Sequence, residues 1–140
     1  MSAAVDGAVV YYYSFYPSTI PGCCWDIVGG TSEASPEFAG VVADANQVAH
    51  HRLGNINAEL YQLAGIAYAH GNPFGTKPTG LVDVTQGNTT FGPFQNSDGR
   101  TYTVLGTSAG PGYDLASGAG TIDAARFVPA LALLSGSGER

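Results

Sequence analysis

Two short apolar runs near the start of the chain have the composition of β-strands. Residues 8–15 (AVVYYYSF) are mostly β-branched or aromatic, which predicts a strand. Residues 24–28 (CWDIV) predict a second short strand, and the turn-rich segment 17–22 between the two runs allows them to pair as a hairpin. Gly29 and Gly30 end the second strand.

Helical periodicity begins immediately after these two glycines. From residue 31 to about Arg52, apolar residues recur at intervals of three and four, which predicts a helix that Gly54 stops. Thr31 or Ser32 is expected to cap the N-terminus of this helix. Its apolar positions are Ala34, Phe38, Val41, Val42, Ala45, Val48 and Ala49.

The same spacing predicts two further helices. One covers Asn57–His70 and is expected to stop at Gly71, a residue typical of helix C-termini. The other covers Thr121–Leu134. Pro129 is expected to kink or split that third helix, because proline has no N–H for the helix ladder.

The region from 72 to 120 is rich in Gly, Thr, Asn and Pro and is expected to be mostly loops. Residues 81–85 and 100–105 are short strand candidates, and Asp98-Gly99 between them is a turn signal. The final residues 135–140 (SGSGER) are expected to form a loose tail. The 140 residues contain neither an internal repeat nor a linker, so the chain is one domain, or one piece of a domain, over residues 1–140.

Charge and hydropathy exclude several classes of partner. The chain has five basic and eleven acidic residues and a net charge of −6, without a basic stripe, so we expect no binding to nucleic acid or anionic membranes. No apolar run approaches the roughly 20 residues of a membrane-spanning helix. The start of the chain lacks the basic and apolar regions of a signal peptide. We therefore expect a cytosolic chain or a targeting segment on another part of the protein.

The two cysteines of the chain, Cys23 and Cys24, are adjacent in sequence. Neighbouring cysteines seldom bridge each other, because the ring that results is small and strained. We therefore expect two inert packing thiols. A redox-active vicinal disulfide and a metal site stay open as alternatives, although no third metal ligand is nearby.

The strongest local signal is segment 29–40, in which a strand runs into two glycines and Ser32 follows at the mouth of a helix. Glycine lets a substrate backbone approach closely, and a helix N-terminus offers unpaired N–H groups and a partial positive charge. The N–H of Ser32 is therefore suited to stabilising a developing oxyanion. Pro36 alters this first turn, because it lacks the N–H that would bond to the carbonyl of Ser32. The ordinary alternative is that Thr31 and Ser32 only cap the helix.

A nucleophilic serine needs a base within hydrogen-bonding reach. The candidates in this chain are His50, His51, His70, Asp44 and Asp26. At a rise of 1.5 Å per residue, the first two histidines lie roughly 27 Å from Ser32 along the helix and Asp44 lies about 18 Å away. Asp26 precedes the glycine turn. Spacing does not exclude His70, but its place at a helix end is ordinary, and we interpret all three histidines as structural or solvated.

Two separated segments carry a second signal. Segments 83–88 (DVTQGN) and 110–114 (GPGYD) each combine an aspartate with glycine. Calcium takes six to eight oxygen ligands from carboxylates and backbone carbonyls, and a Gly-Pro-Gly turn is able to direct several carbonyls at one centre. Taken alone, each segment is also explained as a strand end or a tight turn.

Together these motifs resemble those of the sedolisins, the serine-carboxyl peptidases that share the subtilisin fold. The run Gly-Gly-Thr-Ser, followed by Pro36 and Ala39-Gly40, is similar to the nucleophile motif of both families. The paired aspartate segments resemble the calcium site of the sedolisins, which subtilisin lacks. The resemblance covers Val5–Leu134 and the C-terminal part of a sedolisin catalytic domain, but it assigns no counterpart to the cysteine loop or to Phe91–Gly99.

The resemblance implies a fold and a set of site residues. The fold is the C-terminal portion of an α/β subtilisin-like parallel-sheet domain, with a β-hairpin, a central helix that bears the serine, and a calcium-binding loop region. Ser32 is the implied nucleophile, and the backbone of its motif is supplied by Gly30, Thr31, Ser32 and Pro36. The implied Ca²⁺ ligands are the carboxylates of Asp83 and Asp114, the carbonyls of Val84, Gly110 and Gly112, and water.

The resemblance also implies what this chain lacks. In the sedolisins a glutamate takes the serine proton, one aspartate orients that glutamate, and a second aspartate completes the oxyanion hole, all upstream of the serine. Only 31 residues precede Ser32, without a Glu-x-x-x-Asp among them. We therefore expect an inactive fragment of a secreted, extracellular endopeptidase that cleaves protein or peptide substrates at acid pH. Its expected partner is the missing N-terminal part of the peptidase domain.

Alternative functions stay open at the level of sequence. The chain is alternatively a non-catalytic calcium-binding module of the same fold, or a fragment of a subtilisin-like Asp-His-Ser peptidase. A further alternative is an aromatic surface module that binds glycans through Tyr11, Tyr12, Tyr13 and Tyr16.

Overall fold

The computed structural model describes residues 9–13, 15, 24–69 and 79–135 of the chain. These residues form a mixed α/β arrangement of helices and short antiparallel strands. The elements in chain order are β1 (Val9–Tyr12), β2 (Trp25–Val28), α1 (Thr31–Ala49), α2 (Asn57–Ala69), β3 (Leu81–Val82), β4 (Phe91–Gln95), β5 (Thr101–Val104), β6 (Thr121–Ile122) and α3 (Ala124–Ser135). Within these ranges, no helix is both long and apolar enough to cross a membrane.

The hairpin predicted near the start of the chain is confirmed. Strands β1 and β2 pair antiparallel, although β1 is shorter than the predicted run. Because side chains alternate along a strand, Val10, Tyr12, Trp25 and Ile27 share one face of this hairpin. Each of the four is between 59% and 66% exposed. The hairpin therefore presents an apolar face that the described part of the chain does not cover.

The core lies where α1, α2, α3 and β3 meet. Its fully buried members are Phe127 and Leu131 of α3 and Ala45 of α1. Leu63, Ala64 and Ala67 of α2 and Leu81 of β3 complete the buried cluster. Alanines on α1 and α2 leave room for the larger side chains of α3. The core therefore fixes α1, whose first turn bears the predicted serine motif, against α3.

Helix α1 begins at the predicted residue but differs from the prediction at both caps. The N-cap is Gly30 with no side-chain capping bond, so the expected capping by Thr31 or Ser32 is wrong. The helix ends at Ala49 rather than near Arg52. His50 adopts the left-handed conformation (φ 61°, ψ 17°), and its N–H donates to the carbonyl of Gln47, so the helix ends before the predicted stop at Gly54.

The predicted third helix is partly wrong. Thr121–Ile122 form strand β6, which pairs antiparallel with β3, and α3 begins only at Ala124. The N–H groups of Arg126 and Phe127 donate to the carbonyl of Asp123, whose own N–H donates to Gly80. Strand pairing thus outweighs helical periodicity at residues 121–122. Pro129 lies inside α3 without splitting it.

A second hairpin, β4–β5, contains one strand that the sequence pattern missed. The predicted strand at 100–105 is present as β5, and the predicted turn at Asp98-Gly99 is confirmed by the bond from the Gly99 N–H to Asn96. Strand β4 was not predicted, because Gly92-Pro93 interrupts its apolar alternation.

The three strand pairs of the described ranges are all antiparallel. The parallel sheet expected from the resemblance is therefore not formed by these residues. Two of the pairs are hairpins between segments close in sequence, and such connections give antiparallel pairing, whereas parallel pairing needs a long crossover.

The expected packing thiol is wrong for Cys24, which is buried and disulfide-bonded. Cys23, His70 and Gly71 lie outside the described residues. Ser135, the first residue of the predicted tail, is instead the last residue of α3, and residues 136–140 are likewise outside the described part.

A candidate catalytic serine and an acidic turn

Ser32 is exposed and is the second residue of α1, which begins directly after the two glycines. Gly30 takes a positive φ of 76°, and its carbonyl accepts the N–H groups of Glu33 and Ala34 at 3.1 and 3.2 Å. In a helix that begins at Thr31, the N–H of Ser32 points out of the N-terminal end toward solvent. This arrangement of glycine, serine and helix end is the one that the sequence motif predicts.

Pro36 lies inside α1, one turn after the serine, as predicted. Its ring nitrogen has no hydrogen to donate, so the carbonyl of Ser32 lacks the usual helix bond from residue 36. The first turn of α1 is therefore less constrained by the helix ladder at the serine than elsewhere.

Glu33 lies in the first turn of α1 beside Ser32. Its side chain is only 6% exposed, whereas Ser32 beside it is exposed. Acidic residues in a first turn are usually solvated, so the sequence pattern did not predict that Glu33 is buried.

Of the candidate bases, Asp26 and Asp44 lie in the predicted strand and helix, whereas His50 and His51 follow the end of α1 instead of belonging to it. His50 and His51 are at the opposite end of α1 from Ser32. Asp26 belongs to β2, where its carboxylate accepts hydrogen bonds from the Tyr11 hydroxyl at 3.3 Å and from the Ile27 N–H at 2.8 Å. Asp44 lines a shallow depression beside α3. His70 lies outside the described residues.

The two aspartates of the second motif meet at one turn, although 29 residues separate Asp83 from Gly112. The Gly112 N–H donates to Oδ2 of Asp83 at 2.7 Å, and the Gly110 N–H donates to Oδ2 of Asp114 at 2.9 Å. We call residues 110–117 together with Asp83 the acidic turn. The structure thus brings both predicted carboxylates into contact with the turn that holds both predicted glycines.

Asp114 is held by more donors than the sequence suggested. Its Oδ1 accepts the N–H groups of Ala116 and Ser117 at 2.9 and 2.7 Å, and the Ser117 hydroxyl at 3.1 Å. The backbone N–H of Gly110, and then that of Ser117, hold the pKa of Asp114 below its usual range. A lowered folded-state pKa contributes stability above the ordinary aspartate value of about 3.9, and that contribution is lost as pH falls through the lowered value.

Tyr68 of α2 faces the acidic turn, a contact that no sequence pattern indicated. Its hydroxyl donates to the carbonyl of Ala119 at 3.1 Å. Burial, followed by the negative charges of Asp83 and Asp114, raises the pKa of Tyr68. The phenol therefore lies close to both carboxylates and ties α2 to the segment that follows Asp114.

The chemistry of the donor set suits a hard cation such as Ca²⁺. Two carboxylates converge on one glycine turn, and Oδ1 of Asp83 is shielded from solvent. Val84 follows Asp83 directly and is half-buried, so its carbonyl belongs to the same region. The backbone N–H bonds to both aspartates also order the turn without an ion.

One groove connects the serine end of α1 with the acidic turn. It encloses about 430 Å³ and is lined without any charged side chain. Thr31, Ala34 and Ser35 line it from α1, and Tyr113 and Gly118 line it from the acidic turn and the residue after it. The two sequence motifs, far apart in the chain, therefore border the same groove.

Comparison with known proteins shows a likeness to a serine-carboxyl peptidase of the sedolisin group. This relative is kumamolisin from Bacillus sp. (strain MN-32), and it is 32% identical to the chain over 105 residues. The matched segment covers 75% of this chain but spans only 15% of the length of kumamolisin. No protein-family model matches the chain, and no solved structure matches it. The relationship is sedolisin-like over the matched segment.

Proposed function

We propose that this chain is part of a sedolisin-like serine endopeptidase that hydrolyses peptide bonds at acid pH, with Ser32 as its nucleophile. The observation that carries the proposal is the exposed Ser32 in the first turn of α1, behind Gly30, in a chain similar to kumamolisin. The substrate class is protein or peptide, and the parent protein is proposed to be extracellular.

Ser32 and its surroundings supply part of the reaction. The hydroxyl attacks the peptide carbonyl, and the Ser32 N–H at the positive end of α1 stabilises the oxyanion that forms. Gly30 has no side chain to obstruct the substrate backbone. The space beside it is open, because a Cβ built there meets no protein atom within 4 Å. The proton of Ser32 passes to a glutamate that we propose is supplied by another part of the peptidase, together with two aspartates.

The apolar face of the β1–β2 hairpin supports the proposal that a further part of the peptidase packs against this chain. Val10, Tyr12, Trp25 and Ile27 are all exposed on it. A face of this composition is typical of one that is covered in a larger assembly. The parallel sheet implied by the resemblance is proposed to form there with strands that this chain does not supply.

The isolated chain is expected to be inactive, and a chimera with kumamolisin tests the assignment. In the chimera the matched segment of kumamolisin is replaced by the corresponding segment of this chain. We expect hydrolysis of a peptide substrate at acid pH by the chimera and none by the chain alone, because losing the base costs several orders of magnitude in rate. Turnover by the isolated chain that Ser32→Ala abolishes would contradict the expected inactivity.

Calcium is proposed at the acidic turn, held by the carboxylates of Asp83 and Asp114 and the carbonyls of Val84, Gly110 and Gly112. When bound, the ion would cross-link β3 to the turn and neutralise the two converging carboxylates. A chain that binds calcium without any link to proteolysis is the second candidate function, and the convergence of Asp83 and Asp114 favours it.

Calcium is expected to raise the melting temperature of the chain. At 100 times its Kd a ligand adds about 2.7 kcal/mol, which corresponds to roughly 8–10 °C for a domain of this size. Differential scanning calorimetry with and without CaCl₂ measures the shift, and Asp114→Asn is expected to abolish it. Asp98→Asn is the matched control, because Asp98 is also an aspartate held by a backbone N–H, that of Arg100, but lies in the β4–β5 turn. No shift in the unmodified chain, or an equal loss in both variants, would remove calcium from the proposal.

A further inference from the structure

Ser117 is the most buried polar residue of the acidic turn. Its side chain is only 3% exposed. It donates twice to the same oxygen, Oδ1 of Asp114, through its N–H at 2.7 Å and its hydroxyl at 3.1 Å. With the Ala116 N–H at 2.9 Å, this oxygen receives three donors. The other oxygen, Oδ2, accepts a hydrogen bond from the Gly110 N–H at 2.9 Å.

The segment that carries Ser117 is fixed on two sides. Asp114 and Gly118 exchange backbone hydrogen bonds of 3.3 and 2.9 Å, and the Gly120 N–H donates to the carbonyl of Ser117 at 3.1 Å. On one side the Tyr68 hydroxyl binds Ala119. On the other side Gly120 approaches the carbonyl of Val82 so closely that a Cβ would clash with it. These bonds and the close approach therefore hold the backbone around Ser117 in place.

We propose that Ser117 is a positioning residue for Asp114: it fixes one carboxylate oxygen so that the other faces the Gly-Pro-Gly turn that Asp83 also contacts. A carboxylate with a free side-chain torsion has to be ordered when an ion binds, and Ser117 removes that requirement in advance. This inference rests on the proposed calcium site, because it assigns the orientation of one of the carboxylates that would hold the ion.

Titration calorimetry with CaCl₂ on the full chain tests the inference. Ser117→Ala keeps both backbone donors and loses only the hydroxyl, and we expect calcium affinity to fall about tenfold or more. Ser117→Thr retains the hydroxyl and is expected to restore most of the affinity. Ser108→Ala, an exposed serine before the turn, is expected to leave affinity unchanged.

A second measurement separates this inference from the calcium proposal. Amide hydrogen exchange of Gly110 and Ala116 is followed in the calcium-free chain, where we expect faster exchange in Ser117→Ala than in Ser117→Thr. Unchanged calcium affinity in Ser117→Ala overturns the inference and leaves the calcium site standing. If the unmodified chain binds no calcium, the proposed calcium site is rejected. In that case faster exchange in Ser117→Ala still supports the positioning role, and unchanged exchange overturns it.

Discussion

Ser32→Ala is expected to abolish peptide hydrolysis by the kumamolisin chimera, with kcat lowered by about 10⁵–10⁶-fold and little change in KM. The hydroxyl of Ser32 forms the bond to the substrate carbonyl, and the remaining members of a triad do little without the nucleophile. The residual rate comes from oxyanion stabilisation by the helix end and from substrate binding, neither of which needs the hydroxyl. Steady-state kinetics on a peptide substrate at acid pH measures the loss.

The control for this variant is Ser97→Ala. Ser97 is exposed in the β4–β5 turn, outside both motifs, and its removal is expected to leave kcat and KM unchanged. Circular dichroism of both variants shows whether the chimera retains its fold. A folded Ser32→Ala chimera that still turns over within tenfold of its parent would show that Ser32 is not the nucleophile. The motif would then have neither a catalytic nor a capping role, because Gly30 occupies the N-cap.

The elements that sequence periodicity predicted well are those whose pattern is local. The β1–β2 hairpin, the first residue of α1 and all of α2 follow the apolar spacing. The errors fall where pairing with a segment distant in the sequence determines the local structure. Thr121–Ile122 has helical spacing but pairs with Leu81–Val82 about 40 residues earlier in the chain, and that pairing is invisible in a local window.

The candidate site likewise has one part that the local sequence predicted and another part that it did not. The position of Ser32 after two glycines at a helix start was readable from residues 29–40 alone. The convergence of Asp83 with Gly112 was implied only by the family resemblance, because neither segment by itself indicates the other. The contacts of Ser117 and Tyr68 were missed altogether. An aspartate followed three residues later by a serine is a known local hydrogen-bonding pattern and would have indicated Ser117, whereas the bond from Tyr68 to Ala119 spans 51 residues and has no local signal.

Gly80→Ala is expected to lower the free energy of unfolding by about 3–4 kcal/mol and the melting temperature by about 10–15 °C. Gly80 is buried and has a φ of 68°, which costs an L-residue with a Cβ about 1–2 kcal/mol. A Cβ at this position would lie 2.7 Å from the carbonyl oxygen of Asp123 and within 3 Å of the backbone nitrogen of Phe127. Backbone atoms at the start of α3 cannot rotate away, so β3 or α3 has to shift, and overpacking of this kind costs about 1–3 kcal/mol more.

Gly54→Ala isolates the contribution of this close approach. Gly54 has nearly the same φ, 71°, but a Cβ there meets no atom within 4 Å. Its substitution is expected to cost only the conformational part, about 1 kcal/mol. Urea denaturation of both variants gives the difference directly. Equal losses would mean that Gly80 matters only for its φ and that β3 does not press against the first turn of α3. A larger loss at Gly80 would instead place the contact between β3 and α3 among the main determinants of the core. The carbonyl of Gly80 also accepts the Asp123 N–H at 2.7 Å. Asp123 directly precedes α3, the helix that buries Phe127 and Leu131.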